Sequence, residues 1–191
     1  MHEIKVLIAC EFSGVVRDAF LKEGFNAMSC DLEKSYMPGP HYQGNVFDII
    51  DQNWDLMIAH PPCTHLAVSG ARWFPNKEKE QEEALQFFQD LLEAPINFIA
   101  IENPISIVST KIRPPNQIIE PWQFGHPEEK KICLWLQDLP ELIPTHYVAG
   151  RSNRIHMMPG GNRQGKRRSV FYPGIAKAMA NQWGEFVRQW T

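Results

Sequence analysis

Short, almost wholly apolar runs alternate with segments of helical periodicity, and this alternation limits the fold more than any other feature of the chain. The first apolar run covers residues 6–9, and after a turn residues 15–23 repeat apolar side chains at helical spacing up to Gly24. Buried strands are predicted at residues 54–59, 98–101 and 132–136, and amphipathic helices at residues 78–93 and 175–190. Alternating strands and helices predict an α/β fold, here a Rossmann-like, doubly wound and mostly parallel sheet.

Two shorter strands are predicted at the edge of this sheet. Residues 25–29 form one and end at Cys30-Asp31, and residues 44–46 start the other. A chain of 191 residues, of which 43% are hydrophobic, is long enough for one well-buried core, and it has no Gly/Ser-rich linker. We therefore expect residues 1–191 to form a single domain.

Reactive side chains follow two of the predicted buried strands. Cys63 comes after an apolar run and the prolines Pro61 and Pro62, which stiffen the backbone and remove two amide donors, so the strand must end there. Glu102 follows residues 98–101 directly. Because open α/β sheets carry their chemistry at the carboxyl ends of the strands, Cys63 and Glu102 are predicted to face the same rim.

The positive charge of the chain is local. A formal net charge of −3 and a pI near 6.2 do not make the whole protein a nucleic-acid binder. One stretch nevertheless carries six cations and no acidic residue: Arg151, Arg154, Arg163, Lys166, Arg167 and Arg168. These cations are interleaved with glycines, which favours contact with phosphates over a merely solvated loop.

The four cysteines are widely spaced and form no C-x-x-C pair: Cys10, Cys30, Cys63 and Cys133. This spacing argues against a zinc knuckle or a disulfide scaffold. His60 and His65 flank Cys63 and suggest a metal site or a Cys-His pair, but no fourth ligand lies nearby in the sequence. We expect a cytoplasmic protein without a membrane segment, since the chain opens on a strand and has no apolar run of bilayer length.

Four short blocks follow one another along the chain. They are Cys10-Glu11-Phe12-Ser13-Gly14, Pro61-Pro62-Cys63 with Ser69-Gly70, Ile101-Glu102-Asn103-Pro104, and Phe124-Gly125-His126-Pro127-Glu128-Glu129-Lys130-Lys131. In type and order they resemble the cofactor loop, nucleophile loop, Glu-Asn-Val strand end and Gln-Arg-x-Arg block of the 5-methylcytosine DNA methyltransferases, in the compact form often encoded by phages and prophages. The likeness extends to about Pro144 and is weaker at residues 172–176.

This resemblance implies roles for three side chains in methylation of DNA cytosine. The thiolate of Cys63 would add to carbon-6 and push electron density onto carbon-5. Glu102 would hydrogen-bond or protonate the ring nitrogen, and such an acid works best when burial raises its pKa. Lys131 stands where the family has an arginine that helps to hold the cytosine carbonyl, and lysine keeps the charge but loses the planar fork.

The cofactor implied by the resemblance is S-adenosylmethionine. It would lie across the carboxyl ends of the first strands, with the backbone of Phe12, Ser13 and Gly14 near its methionine part. Asp31 would accept hydrogen bonds from its ribose, Asn45 would lie near its adenine, and Pro61 belongs to the same binding site. Two departures from the family pattern are Cys10, in place of the first-strand aspartate, and Val16, in place of a glycine.

The target is less defined than the chemistry. Full-length family members carry a target-recognition domain, where this chain has only the basic stretch from Thr145 to Ser169. A substrate of relaxed specificity, a single-stranded or nucleotide-level substrate, or a partner subunit that supplies recognition all remain open. A base within a duplex would have to be flipped out to be attacked.

Two other classes of function compete with this interpretation. One is a non-catalytic module that keeps the methyltransferase fold and binds nucleic acid or protein through the basic stretch. The changed cofactor loop and the lysine substitution favour that class, whereas the intact Cys63 and Glu102 speak against it. The other is a Rossmann-like enzyme acting on a small nucleotide.

Overall fold

A computed structural model describes residues 3–70, 77–150, 152 and 170–190. Seven strands form its sheet: β1 (Lys5–Ala9), β2 (Asn26–Asp31), β3 (His41–Gln43), β4 (Leu56–Ala59), β5 (Phe98–Asn103), β6 (Gln117–Ile119) and β7 (Ile132–Gln137). The helices are α1 (Val15–Lys22), α2 (Glu78–Leu92), α3 (Val108–Lys111) and α4 (Pro173–Arg188). The α/β class expected from the alternating pattern is confirmed.

The sheet has the strand order β3-β2-β1-β4-β5-β7-β6. Strands β3, β2, β1, β4 and β5 are parallel to their neighbours, whereas β7 runs antiparallel to both β5 and β6. The chain order reverses between β1 and β4, and doubly wound sheets bind their ligands at such a switch point, beyond the carboxyl ends of the strands. The topology therefore places the predicted rim residues at the expected binding edge.

Hydrophobic side chains cover both faces of the sheet. Along β1, alternate residues point to opposite faces, so that Val6 joins a cluster with Trp183 of α4 while Leu7 joins a cluster with Phe88 of α2. Helices α1 and α4 thus pack on one face and α2 on the other. Burying a side chain of this size stabilises a fold by about 1.5–3 kcal/mol, and these two layers fix the sheet on which the rim is built.

Three details of the predicted strands are wrong or were missed. Residues 44–46 do not start a strand, because β3 lies earlier. Val46–Asp48 instead forms a 3-10 turn, in which Phe47 N donates to Asn45 Oδ1 at 3.1 Å. Strand β5 does not end at residue 101 but runs to Asn103 because β7 pairs with its last residues. The short strand β6 was not predicted at all.

A buried arginine fastens the segment after β2 to α1. The guanidinium of Arg17 is fully buried and donates to Ser29 Oγ at 3.2 Å, Ser35 Oγ at 3.1 Å and the carbonyl oxygens of Met37 and Pro38, each at 3.2 Å. It also contacts the carboxylate of Asp18 at 2.8 Å. These bonds compensate the cost of burying a charge and hold the loop that borders the binding edge.

Within the described ranges, no helix is both long and apolar enough to span a bilayer.

Candidate active site

The loop that carries Cys63 leaves the sheet beside β1. The backbone N–H of His60 donates to Ala9 O at 2.9 Å, which continues the β4–β1 pairing by one residue. The following prolines end the strand, and the carbonyl of Cys63 then accepts from the amides of Leu66 and Ala67 at 3.0 and 2.9 Å. The thiol therefore sits at the start of a tight turn and is half-buried rather than packed in the core.

Hydrogen bonds tie this nucleophile loop, residues 60–70, to the chain that follows β5. The side chain of the buried Asn103 donates from Nδ2 to Pro61 O at 3.0 Å. Further along, Val68 N donates to Ile105 O at 3.1 Å and Ile107 N donates to Leu66 O at 3.0 Å. The loop and the end of β5 consequently form one rigid unit, and Pro61 acts in it as an acceptor for Asn103.

Cys63 lies within the electrostatic reach of Glu102 in the structure. Burial raises the pKa of the Cys63 thiol, and the charge of Glu102 raises it further, while the charge of Lys130 and a backbone hydrogen bond oppose this. The resting sulfur is therefore a thiol, and it needs a proton acceptor or a change of surroundings before it can attack.

Glu102 is held as a carboxylate. Burial by itself raises the pKa of this group, but a hydrogen bond from His60, the charge of Lys130 and the charge of His60 bring the pKa below its usual value. The partner atoms are His60 Nδ1 and Glu102 Oε2, 3.1 Å apart, and the two side chains are only 12% and 13% exposed. Glu102 thus lacks the raised pKa that would suit a resting acid, because His60 donates to it. The sequence analysis did not recognise His60 as a partner of Glu102.

The two neighbouring lysines point to different surroundings. Lys131, the lysine chosen from the sequence, is exposed, and its charge acts on the thiol of Cys133. Lys130 is half-buried, and its charge acts on both Cys63 and Glu102. Of the pair, Lys130 is therefore the lysine whose charge reaches the candidate site.

Residues at the start of α4 complete the wall of the site. The ring of Phe171 packs on that of His60, with their centroids 4.7 Å apart. The hydroxyl of Tyr172 donates to Glu128 Oε2 at 2.6 Å, and Lys130 Nζ lies 5.9 Å from the centre of the Tyr172 ring. Burial and this bond, together with the charges of Glu128 and Glu102, strongly raise the pKa of Tyr172. None of these aromatic contacts was predicted from the sequence.

A cavity of about 280 Å3 opens beside the carboxyl ends of β1 and β2. Its wall contains Asp31 and Asn45, both predicted to bind cofactor, together with apolar side chains that include Val46 and Phe87. Burial raises the pKa of Asp31, although the amide of Glu33 donates to its Oδ1 at 2.8 Å. An acceptor at a strand end beside apolar walls suits a nucleoside, whose ribose hydroxyls donate and whose base is flat.

Phe12, Ser13 and Gly14 follow Cys10, which lines the cavity, but they are not themselves among the residues of its wall. Phe12 packs edge-on against Tyr36, with centroids 4.9 Å apart. Ser13 donates from Oγ to Glu11 Oε1 at 3.0 Å. Gly14 has a φ of 78°, and a Cβ on it would lie 2.6 Å from the guanidinium of Arg17, so only glycine fits there.

Glu11 occupies the amino end of α1, a role the sequence analysis did not assign. Its Oε1 accepts from Val16 N at 2.7 Å and its Oε2 from Arg17 N at 3.2 Å, in addition to the bond from Ser13. The carboxylate is buried, with 4% of the residue exposed. It thus takes up the free backbone donors that an anion would otherwise find at a helix amino terminus.

The other cysteines are free thiols of low reactivity. Cys30 and Cys133 are buried, and burial raises the pKa of each to about 11. Cys10 lines the cavity, has a φ of 58°, and has a pKa raised strongly by burial and by Asp31. Within the described ranges, no group of three metal-binding side chains is close enough to hold an ion. The six cations of the basic stretch, Arg151 to Arg168, lie outside the described residues.

The strand order and the flanking helices define a Rossmann-like α/β fold. Among solved structures, the chain is similar to EhMeth, a methyltransferase of Entamoeba histolytica, with 14% sequence identity and a TM-score of 0.53. The match covers 85% of this chain and 62% of that structure, so the chain spans less than two thirds of the length of its structural neighbour. No protein-family model matches the sequence, and no curated protein matches it either.

Proposed function

We propose that this protein is an S-adenosylmethionine-dependent DNA cytosine-5 methyltransferase that acts through a covalent bond from Cys63 to the base. The observation that carries the proposal is the pairing at the rim: a half-buried thiol on a proline-stiffened turn and a carboxylate on the adjacent strand, each within the electrostatic reach of the other. Packing alone requires neither group. A nucleophile beside an acid–base group is what addition to carbon-6 of a cytosine needs.

The resting protonation states fit this addition. Cys63 begins as a thiol and Glu102 as a carboxylate. When sulfur bonds to carbon-6, the proton leaves sulfur, and the ring nitrogen that gains electron density takes up a proton, so the step balances without an outside acid. Glu102 is the group beside the base that can accept the first proton and supply the second. Lys130 then stabilises the negative charge that develops during the transfer.

The cavity at β1 and β2 fits the cofactor. Asp31 would hold the ribose, Asn45 would lie at the adenine edge, and Val46 and Phe87 would contact the faces of the base. The cofactor supplies an electrophilic methyl group on a sulfonium. Glu11 favours this cofactor over a phosphorylated nucleotide, because its carboxylate occupies the helix terminus where Rossmann folds usually bind a pyrophosphate.

DNA is favoured as the target by the contacts of two described residues, one near the start of the basic stretch and one just after its end. On one side, Ser152 N donates to Pro127 O at 2.9 Å and Ser152 pairs with Glu128, which bonds Tyr172. On the other side, Phe171 packs on His60. Ser152 and Phe171 thus lie beside groups of the candidate site, and cations carried by the chain between them would meet the phosphates of a DNA strand whose target base is flipped out.

The test is transfer of a radioactive methyl group from S-adenosylmethionine to DNA. Single- and double-stranded DNA are both offered, and the product nucleoside is identified after digestion. The proposal predicts label in 5-methylcytosine, loss of label by at least about 1,000-fold in Cys63→Ser, and little change in Cys133→Ala, which removes a buried thiol on a neighbouring strand. Label in a free nucleotide alone would shift the substrate away from DNA.

Absence of transfer to any substrate by the folded protein would contradict the proposal. If the same protein still bound DNA, the result would favour the non-catalytic binding module. The dependence of that binding on salt would then show how many phosphates the protein contacts.

A further inference from the structure

His60 links the end of β4 to the wall formed by α4. Its backbone amide is fixed to Ala9 O at 2.9 Å, and its ring is packed on Phe171, 4.7 Å between centroids. The side chain is only 12% exposed. Backbone and ring are therefore both held, which leaves the imidazole little rotational freedom.

The polar contacts of this ring are one-sided. Nδ1 lies 3.1 Å from Glu102 Oε2, and because a carboxylate only accepts hydrogen bonds, Nδ1 carries the proton and donates it. Nε2 is buried and has no hydrogen-bond partner among the residues that the structure describes. Among the described residues, Glu102 is therefore the only hydrogen-bond partner of this imidazole.

We propose that His60 is a positioning residue, whose Nδ1–H holds Oε2 of Glu102 and leaves Oε1 to face the target base. The consequence for methyl transfer rests on the proposed function. The hold on Glu102 itself does not, since it follows from contacts within the protein.

Four groups lie within the electrostatic reach of Glu102 on its own face of the sheet: His60 after β4, Cys63 in the nucleophile loop, Lys130 before β7 and Tyr172 before α4. The charge of Glu102 also acts on Cys133, which points to the opposite face of β7. Only His60 and Lys130 lower the pKa of Glu102, whereas burial raises it. Without His60, Lys130 alone opposes burial, so the pKa of Glu102 must rise.

The first measurement is the titration of Glu102 by 13C NMR in protein labelled at the glutamate side-chain carboxyl carbon, with the resonance assigned from Glu102→Gln. His60→Phe keeps a ring against Phe171 and removes the donor, and His60→Asn keeps a neutral donor near the position of Nδ1. The proposal predicts that the pKa of Glu102 shifts upward in His60→Phe and shifts upward by less in His60→Asn. His146→Phe, which removes an exposed imidazole, leaves the titration unchanged.

The second measurement is the pH profile of kcat for methyl transfer. Because Glu102 must start as a carboxylate, its protonation defines the acid limb, and His60→Phe moves that limb to higher pH by the amount seen in the NMR titration. If the pH profile of His60→Phe had the same shape as that of the parent protein, with a lower kcat at every pH, the role of His60 would be merely structural. An unshifted Glu102 titration in both variants would overturn the proposal, whether or not the protein methylates DNA. Conversely, a shifted titration in a protein without transferase activity would sustain the hold of His60 and contradict only the proposed function.

Discussion

The thiol of Cys63 is coupled to one anion and one cation, and single substitutions separate their effects. Glu102→Gln removes a charge that raises the pKa of Cys63, and Lys130→Met removes one that lowers it. We expect alkylation of Cys63 by iodoacetamide near pH 8 to become faster in the first variant and slower in the second. A change of half a pKa unit corresponds to about threefold in rate when the thiol is mostly protonated.

Peptide mass spectrometry resolves Cys63 from the other thiols. Lys131→Met is the matched control, because this neighbouring lysine acts on Cys133 and is not among the groups that set the pKa of Cys63. If Lys131→Met slowed alkylation of Cys63 and Lys130→Met did not, the placement of the two lysines would be wrong.

At the residue scale, the sequence predicted that Cys63 and Glu102 share one rim, but it did not predict their neighbours. This prediction was possible because Cys63 follows a buried run after a short proline turn and Glu102 follows another directly, and parallel strands bring such positions to one edge. The choice between Lys130 and Lys131 depends on which way a side chain points from an extended segment, and no local pattern records this. His60 and Phe171 are 111 positions apart in the numbering, so their contact exists only in the folded chain.

At the scale of the elements, the side-chain carboxylate of Glu11 caps the amino end of helix α1. Glu11→Ala removes acceptors for Val16 N, Arg17 N and Ser13 Oγ, and loss of a helix cap typically costs about 1–2 kcal/mol. We expect this decrease in the free energy of unfolding, measured in urea. Glu23→Ala at the opposite end of α1 serves as the control and should change it by less than about 0.5 kcal/mol. Equal effects of the two substitutions would refute the capping role.

The strands differ in how well the hydrophobic pattern of the sequence predicts them. The long apolar runs of β1, β4 and β5 were placed correctly because burial on both faces leaves an uninterrupted signal. Strand β6 has three residues, and β3 also has three, so neither offers a run long enough to be separated from a loop. The antiparallel direction of β7 is decided by its pairing with β5 and β6, which is a property of the sheet and not of residues 132–137.

At the scale of the whole molecule, the proposed function predicts which nucleosides bind in the cavity beside the capped helix α1. S-adenosylmethionine or S-adenosylhomocysteine at 100 times its dissociation constant should stabilise the fold by about 2.7 kcal/mol, or roughly 5 °C or more in Tm. Asp31→Ala should remove most of this shift, whereas Asp51→Ala, an exposed aspartate outside the cavity, should retain it. A dinucleotide with a pyrophosphate should give no shift. Stabilisation by the dinucleotide, and not by the methyl donor, would contradict the assignment of the cavity.

The central claim is that Cys63 forms a covalent bond to a cytosine during methyl transfer. Its most direct test is incubation of the protein with S-adenosylmethionine and DNA containing 5-fluorocytosine, in single- and double-stranded form, followed by intact mass measurement. Fluorine replaces the proton that must leave carbon-5, so the adduct cannot be released. We predict a species with the mass of protein plus DNA strand plus one methyl group, absent in Cys63→Ser. The absence of such a species with both DNA forms, in protein shown to be folded, would contradict the covalent mechanism.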